Sequence, residues 1–156
     1  MEITEVGRYK LSFDATRFSI ESPLGTAKFS GLATSGLPKL YVVSVDDKPI
    51  YVGITKQPIR NRLRLGWAAK GDSGYYGYAW RHKLTAAHLD LWCHTNPSSG
   101  TECLDIETVE AELVYLVRKS GQWPRFQTEI HFHPSNEVHR AVAAQIGARY
   151  GITPNN

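Results

Sequence analysis

The pattern of apolar and polar positions predicts two adjacent strands near the middle of the chain. Leu40 to Val45 and Ile50 to Ile54 are apolar and largely β-branched, and the Asp-Asp-Lys-Pro segment between them has the composition of a turn. This arrangement indicates a β-hairpin. A loop of three residues, Asp46 to Lys48, would place Tyr41 and Tyr51 on one face, whereas a loop one residue longer would place them on opposite faces. The sequence leaves this register open.

Helical periodicity, cap residues and alternation predict the elements that follow the hairpin. Pro58 suits the first turn of a helix, and either Ser135 or Asn136 is a candidate N-cap for an Ala-rich helix near the C-terminus. Residues 128 to 133 alternate in a way that is typical of a strand. The expected elements are a helix over Pro58–Leu65, a loop over Gly71–Tyr78, a short helix over Tyr78–Leu84, a strand over Ala87–His94, a helix over Asp105–Lys119 and a helix over Asn136–Tyr150.

One carboxylate in the helix predicted over Asp105–Lys119 falls among apolar positions. A step of about 100° per residue places the apolar side chains of this helix on one stripe, and Glu110 lies inside that stripe. Glu107 and Glu112 lie about 110° from its centre, so we expect them to be solvated. An inward carboxylate needs a cation, a metal ion or a hydrogen-bond partner, because an unpaired buried charge is costly. Glu110 is therefore a candidate functional residue.

Length and composition indicate a single domain with its own core. The chain has 156 residues, of which 42% are hydrophobic, and it contains no tract that resembles a linker or a repeat. Residues 8 to 31 alternate polar and apolar residues around Gly and Pro and suggest a β-rich N-terminal extension over residues 1–37. The sequence contains no apolar run of membrane-spanning length and no signal-like N-terminus, and Cys93 and Cys103 need no disulfide, so we expect a cytoplasmic protein.

Positive charge is concentrated in one part of the chain. The formal net charge is only +3, but Pro58 to Lys83 contains six basic residues and one acidic residue, Asp72. Such a patch attracts phosphates and makes binding sensitive to salt. The aromatic loop from Gly74 to Tyr78 is a candidate for stacking on bases, or equally for covering the edge of a core.

The strings KLY at 39–41, YVGIT at 51–55 and WPRFQ at 123–127, together with Arg62 and Glu110, resemble the motifs of the GIY-YIG endonuclease family. The resemblance covers residues 39–127. KLY keeps only the tyrosine of the family's first motif, Gln127 stands where the family usually has asparagine, and Gly66 stands where many members have a histidine.

The resemblance implies an α+β fold with a small three-stranded antiparallel sheet flanked by helices. The chain would add to this core the N-terminal extension and a C-terminal strand and helix over residues 128–156. It implies hydrolysis of phosphodiester bonds in nucleic acid, most readily DNA, with Tyr41 or Tyr51 activating water and Arg62 stabilising the phosphate. Glu110 would bind one Mg²⁺ or Mn²⁺. Gln127 would orient a phosphate oxygen or water, and solvent or His82 would accept the proton.

We further expect a set of residues near this site to contact nucleic acid. A homodimer or a separate targeting subunit is a possible partner, since one active site cuts one strand per encounter. The expected contact residues are Gly53, Thr55, Lys56, Arg60, Arg64, Tyr76, Arg81 and His82.

Two other classes of function stay open at this stage. The altered positions at Lys39–Leu40, Gly66 and Gln127 are compatible with a relative that binds nucleic acid without cleaving it. Alternatively, Glu129, His131 and His133 alternate on the strand predicted over residues 128 to 133, where they would present three ligands to Zn²⁺ on one face.

Overall fold

The computed structural model describes residues 1–97, 102–127 and 130–154, and in these residues five strands form one antiparallel sheet with the order β2-β1-β5-β3-β4. The α+β class is confirmed, but the three-stranded sheet is wrong. The N-terminal segment supplies two strands, because β1 pairs with β5 along its whole length and β2 pairs with β1. The strands are β1 (Ile3–Phe13), β2 (Phe18–Glu21), β3 (Lys39–Val45), β4 (Lys48–Thr55) and β5 (Ala86–His94).

Three α-helices flank the sheet: α1 (Ile59–Ala68), α2 (Glu102–Lys119) and α3 (Glu137–Ala148). Helix α1 begins one residue later and ends three residues later than predicted, and the short helix near Tyr78 is a 3₁₀ turn over Ala79–His82. Asn136 is the N-cap of α3, and its side chain accepts hydrogen bonds from the backbone N–H of Val138 and His139. The strand predicted over 128 to 133 is wrong for residues 130–133, which are irregular; Thr128 and Glu129 lie outside the described residues.

The helices cover opposite faces of the sheet. One face, hereafter the tyrosine face, carries Tyr9, Tyr41 and Leu91 and packs against α1 and the 3₁₀ turn over Ala79–His82. The other face, hereafter the helical-pair face, carries Leu40 and Val52 and packs against α2 and α3. Because side chains alternate along each strand, neighbouring residues of one strand serve two separate cores.

The hairpin has neither of the two loops that the sequence suggested. Asp46 and Asp47 form a two-residue turn, both with positive φ, and Val45 lies opposite Lys48. A bulge between Val43 and Ser44 then shifts the register by one residue, so that Tyr41 lies opposite Gly53. A two-residue loop alone would separate the tyrosines, but the extra residue of the bulge returns Tyr41 and Tyr51 to one face.

The buried carboxylate of Asp90 connects the segment that follows α3 with the sheet. Asp90 of β5 is on the helical-pair face and accepts hydrogen bonds from Arg8 Nε at 2.7 Å and from Tyr150 Oη at 2.6 Å. Arg149 lies beside the same carboxylate, with Nε 3.6 Å from Oδ2. The burial of a carboxylate is costly unless it is paired, and here a guanidinium group and a hydroxyl group supply the partners. The contacts fix β1, β5 and the end of α3 relative to one another.

Candidate functional site

Four side chains from the hairpin, α1 and the following loop meet on the tyrosine face. Tyr41 Oη and Tyr78 Oη are 2.9 Å apart, and the Tyr41 and Tyr51 ring centroids are 6.0 Å apart. The Arg62 guanidinium lies over the Tyr78 ring, 4.9 Å from its centroid. We call Tyr41, Tyr51, Tyr78 and Arg62 the tyrosine–arginine cluster. Three of its members were predicted from the sequence, and the structure brings them together.

The glycine of the second strand makes room for the cluster. Gly53 lies opposite Tyr41, and a Cβ atom built on Gly53 would be 2.4 Å from Tyr41 Cζ and 2.5 Å from its hydroxyl oxygen. No side chain larger than hydrogen therefore fits while the phenol keeps its place. The structure supports a steric role for Gly53, whereas its predicted contact with nucleic acid stays a prediction.

Tyr78 is the member of the cluster that the sequence analysis missed. Its ring fills the space beside Gly66 of α1, where an added Cβ would be 2.1 Å from Tyr78 Cε2. The phenol of Tyr78 therefore occupies room that a side chain at position 66 would take. The one signal in the sequence was the loop of glycines and tyrosines between Gly71 and Tyr78.

Arg62 connects the buried phenols with the surface. Tyr41 is completely buried and Tyr78 almost so, whereas Tyr51 and Arg62 are partly exposed. A groove of about 530 Å³ is lined by Arg62, Gln57, Leu65 and Tyr75, among others. The Tyr75 ring is 41% exposed and lies 5.5 Å from the Arg62 guanidinium. A phosphate in this groove would meet Arg62 and Tyr75 before it met the buried phenols of Tyr41 and Tyr78.

The tyrosines of the cluster are neutral at physiological pH. Burial raises the pKa of Tyr41 well above 10, its interaction with Tyr78 raises it further, and the charge of Arg62 opposes both effects. Burial likewise raises the pKa of Tyr51 and of Tyr78, and the charge of Arg62 lowers both. The hydroxyl groups can therefore donate and relay hydrogen bonds, while a phenolate would require additional positive charge nearby.

Glu110 is buried, as its place on the apolar stripe predicted. It is 8% exposed, whereas Glu107 and Glu112 are partly exposed. Burial raises the pKa of Glu110 to about 8, and the neighbouring carboxylate of Glu107 adds to the rise. Within the described residues, the Glu110 carboxylate forms no hydrogen bond or ion pair. Helix α2 packs on the helical-pair face, and neither Arg62 nor a tyrosine contributes to the Glu110 pKa.

Glu110 is the residue that could hold a divalent ion. An oxygen ligand and a second carboxylate nearby suit a hard cation such as Mg²⁺ or Mn²⁺, with water or phosphate completing the coordination. A cation would also remove the electrostatic cost that raises the carboxyl pKa. No group of three or more Asp, Glu, His or Cys side chains within the described ranges is arranged to hold a metal ion. The second carboxylate, that of Glu107, is already paired with His133 Nε2 at 2.6 Å, so among the described residues Glu110 is the unpaired oxygen donor here.

Gln127 holds a loop against the free edge of β4. Its Oε1 accepts a hydrogen bond from Val52 N at 2.7 Å, and its Nε2 donates to Val52 O at 2.9 Å. Phe126 N donates to Ile50 O at 3.0 Å. The amide therefore pairs with the strand as another strand would. This geometry supports a structural role for Gln127, and it offers no support for the predicted role in orienting phosphate.

Arg81 was predicted to contact nucleic acid, but its side chain is buried inside the protein. The guanidinium donates to the carbonyl oxygen of Gly66 at 2.6 Å, of Tyr76 at 3.0 Å and of Ala69 at 3.2 Å. These bonds hold the loop that follows α1 in place beneath Tyr78. The prediction is wrong for Arg81 because four backbone carbonyls, counting that of Tyr78, replace the solvent that an arginine usually contacts.

The other predicted contact residues lie near the surface. Arg64, Lys56 and His82 are exposed, and Tyr76 is 71% exposed. Arg60 donates to the Ala27 carbonyl at 3.0 Å, and the Thr55 hydroxyl accepts from Gln57 N at 3.1 Å. The contact of these residues with nucleic acid stays a prediction.

The described part of the alternative zinc site has a different arrangement from the predicted one. His133 Nε2 lies 2.6 Å from Glu107 Oε2, so it pairs with α2. Residues 130–133 do not form the strand that would align His131 with His133, and Glu129 lies outside the described residues. The structure offers no support for three ligands on one strand face.

Comparison with known proteins adds no relative: no family model, no curated protein and no solved structure matches the chain. Of the helices that the structure describes, none is long and apolar enough to cross a membrane.

Proposed function

We propose that this protein is a metal-dependent endonuclease that hydrolyses phosphodiester bonds, with DNA as its preferred substrate. The observation that carries the proposal is the tyrosine–arginine cluster, in which the tyrosines of two paired strands and the arginine of α1 come together around Gly53. Tyr41 and Tyr51 share one face of the sheet because of the bulge in the hairpin. A packing role alone would not require a guanidinium group among three phenols.

Each residue of the cluster has a chemical role in this proposal. Arg62 stabilises the negative charge that builds up on the phosphate as water attacks phosphorus. A phenol of the cluster takes the proton of the attacking water and releases its own proton to solvent through Tyr51, which is partly exposed, because Tyr41 and Tyr78 are buried. The leaving oxygen takes a proton from water. Tyr51 is the phenol on β4 that reaches the surface, and Tyr41 holds it in place.

The proposal places a divalent ion at Glu110. Glu110 would hold such an ion, which would supply positive charge for the phosphate oxygens and the leaving oxygen. Because one carboxylate makes a weak site by itself, binding of Mg²⁺ or Mn²⁺ without nucleic acid is expected to be weak. A single active site cuts one strand, so cleavage of both strands requires two copies or two successive nicks.

Cleavage of supercoiled plasmid with Mg²⁺ or Mn²⁺, beside an EDTA control, tests the proposal. Nicking should require metal and should be lost in Tyr41→Phe and in Glu110→Gln, while Tyr115→Phe and Glu112→Gln retain it. Tyr115 is 51% exposed on α2, and Glu112 is partly exposed on the same helix, so these controls make the same chemical changes outside the site. Nicking that survives in both site variants would refute the assignment.

One observation favours a second candidate, a nucleic-acid-binding protein without catalysis. Tyr41 is completely buried, and burial raises its pKa well above 10, so its phenol does not act as a base in the resting protein. Binding of DNA that persists with no cleavage on DNA or RNA, under any metal condition, would favour this candidate over the endonuclease.

A further inference from the structure

We propose that a second groove, on the far side of α1 from the tyrosine–arginine cluster, binds the sugar–phosphate backbone of nucleic acid. This groove, hereafter the arginine groove, lies between α1 and the turn that joins β1 to β2, and it measures about 360 Å³. This inference rests on the proposed function for its class of ligand, nucleic acid. The position and lining of the groove do not depend on the tyrosine–arginine cluster. Its walls and floor are formed by Thr16, Arg17, Phe18, Arg60, Arg64 and Trp67.

Three guanidinium groups line the arginine groove without a carboxylate among its lining residues. Arg60 and Arg64 are four residues apart on α1, so they project from the same side of the helix. Arg17 reaches the groove from the other wall. Like charges at this spacing repel each other, and an anion between them removes the repulsion. Neither Arg17 nor Arg64 forms an ion pair with any residue that the structure describes.

The carboxylate of Asp14, two residues before Thr16 in the same turn, already has hydrogen-bond partners. Asp14 Oδ1 accepts hydrogen bonds from the backbone N–H of Thr16 at 2.8 Å, from the Thr16 hydroxyl at 2.8 Å and from Arg17 N at 3.0 Å. These bonds lower the pKa of Asp14, with the positive charge of Arg17 as a minor contribution. Asp14 thus shapes the turn that presents Arg17, and it does not close the groove.

The groove is held in shape before a ligand arrives. Trp67 Nε1 donates to the Asp14 carbonyl at 2.9 Å, which fastens the β1–β2 turn to α1. The rings of Phe18 and Trp67 are 4.6 Å apart. Arg60 lies over the Phe29 ring at 5.4 Å and donates to the Ala27 carbonyl. A guanidinium that is already held loses little conformational entropy when it binds.

A sugar–phosphate backbone is the ligand that matches both the positive charge of the arginine groove and its position along α1. Guanidinium groups form paired hydrogen bonds with phosphate oxygens, and the apolar floor suits a deoxyribose ring or a base. Ala68 borders this groove and also the groove that contains Arg62, so the two grooves run along both sides of α1. A nucleic acid that reaches the cluster would place another part of its backbone in the arginine groove, on the other side of α1. The N-terminal strands would then extend the binding surface.

Equilibrium binding of a fluorescently labelled 20-base-pair duplex tests this inference in EDTA, where cleavage cannot occur. The test variant is Arg17→Gln/Arg64→Gln, which removes two exposed charges from the groove. The matched control is Arg118→Gln/Arg140→Gln, which removes two exposed arginines from α2 and α3 on the helical-pair face. Thermal melting of all three proteins checks that each is folded, and inorganic phosphate at matched ionic strength serves as a separate ligand.

We expect the groove variant to bind at least about tenfold more weakly at low salt and to lower the slope of log K against log salt by about 2, one unit for each lost phosphate contact. The control should change affinity by less than about twofold and leave the slope unaltered. Equal loss in both variants, an unchanged slope in the groove variant, or tight binding of inorganic phosphate without binding of the duplex would overturn the proposal.

The duplex-binding test and the plasmid-cleavage assay distinguish failure of the groove from failure of the nuclease. Duplex binding that depends on Arg17 and Arg64 in a protein that never nicks plasmid would support the groove and refute the nuclease. Nicking that requires Glu110, in a protein whose duplex affinity is insensitive to Arg17 and Arg64, would refute the groove and support the nuclease.

Discussion

The pKa of Glu110 makes the stability of this protein dependent on pH in an unusual direction. Burial, together with the Glu107 carboxylate, raises that pKa from 4.5 to about 8. Between these values the folded protein keeps a proton that the unfolded chain releases, so the free energy of unfolding falls as pH rises through this window. Most carboxylates that form ion pairs behave in the opposite way, because folding lowers their pKa.

The size of this loss of stability follows from the size of the Glu110 pKa shift. At about 1.4 kcal/mol per pKa unit, a rise from 4.5 to about 8 corresponds to an upper limit of about 5 kcal/mol. The loss of stability from this one group between about pH 5 and pH 9 is then about 4 kcal/mol, and relaxation of the protein reduces it towards about 2 kcal/mol. Glu110→Gln keeps the shape of the protonated side chain and cannot ionise.

Urea unfolding monitored by circular dichroism, at several pH values from about 5 to 9, measures this effect. The wild type and Glu110→Gln should have similar stability near pH 5, and the variant should become progressively more stable as pH rises. Glu112→Gln is the control, because Glu112 is partly exposed on the same helix. Parallel pH profiles for the wild type and Glu110→Gln would refute the reasoning, as would a variant that is less stable at every pH.

Metal extends the same test to the proposed site. Mg²⁺ or Mn²⁺ bound at Glu110 stabilises the ionised form, so its effect on the melting temperature should grow as pH rises towards 8. The effect should be absent from Glu110→Gln. A stabilisation by metal that persists in this variant would place the ion elsewhere.

Three further substitutions test the geometry of the fold and the site. Gly53→Ala should lower stability by about 2 to 4 kcal/mol in urea unfolding, because its methyl group overlaps the Tyr41 phenol, and stability within about 0.5 kcal/mol of the wild type would contradict this. Tyr150→Phe should cost about 1 to 3 kcal/mol in the same assay, since Asp90 loses a buried hydrogen bond, and no loss would show that water replaces the hydroxyl. Gln127→Ala should speed hydrogen exchange of the Phe126 amide on the β4 edge, and unchanged exchange would refute the role of the side chain there.

Local pattern predicted those parts of the molecule whose partners are close in sequence. The hairpin, the helix that carries Glu110 and the N-cap of α3 are confirmed, because each depends on alternation, periodicity or a cap within a few residues. The pairing of β1 with β5 joins segments about 80 residues apart, for example Arg8 with Asp90, and no local signal specifies it. The sheet was therefore predicted with too few strands.

The same reasoning explains which site residues were missed or misassigned. Tyr78 contacts Tyr41 across 37 residues, and its place depends on the absence of a side chain at Gly66. Arg81 was expected at the surface because arginine usually lies there, yet carbonyl oxygens of the loop after α1 surround it. Contacts of this kind depend on backbone course, which residue type alone does not reveal.

The balance of charge around the phenols determines what the cluster can do. Among the described residues that adjust the pKa of Tyr41, Arg62 is the cation, and it does not offset burial. A phenol in this setting accepts a proton only when another positive charge arrives or when its own proton leaves through Tyr51. Glu110 lies in the helix layer of the opposite face, so an ion there has to act through the substrate and not through the phenols. Arg62 is then the cationic side chain that a phosphate beside the phenols would meet.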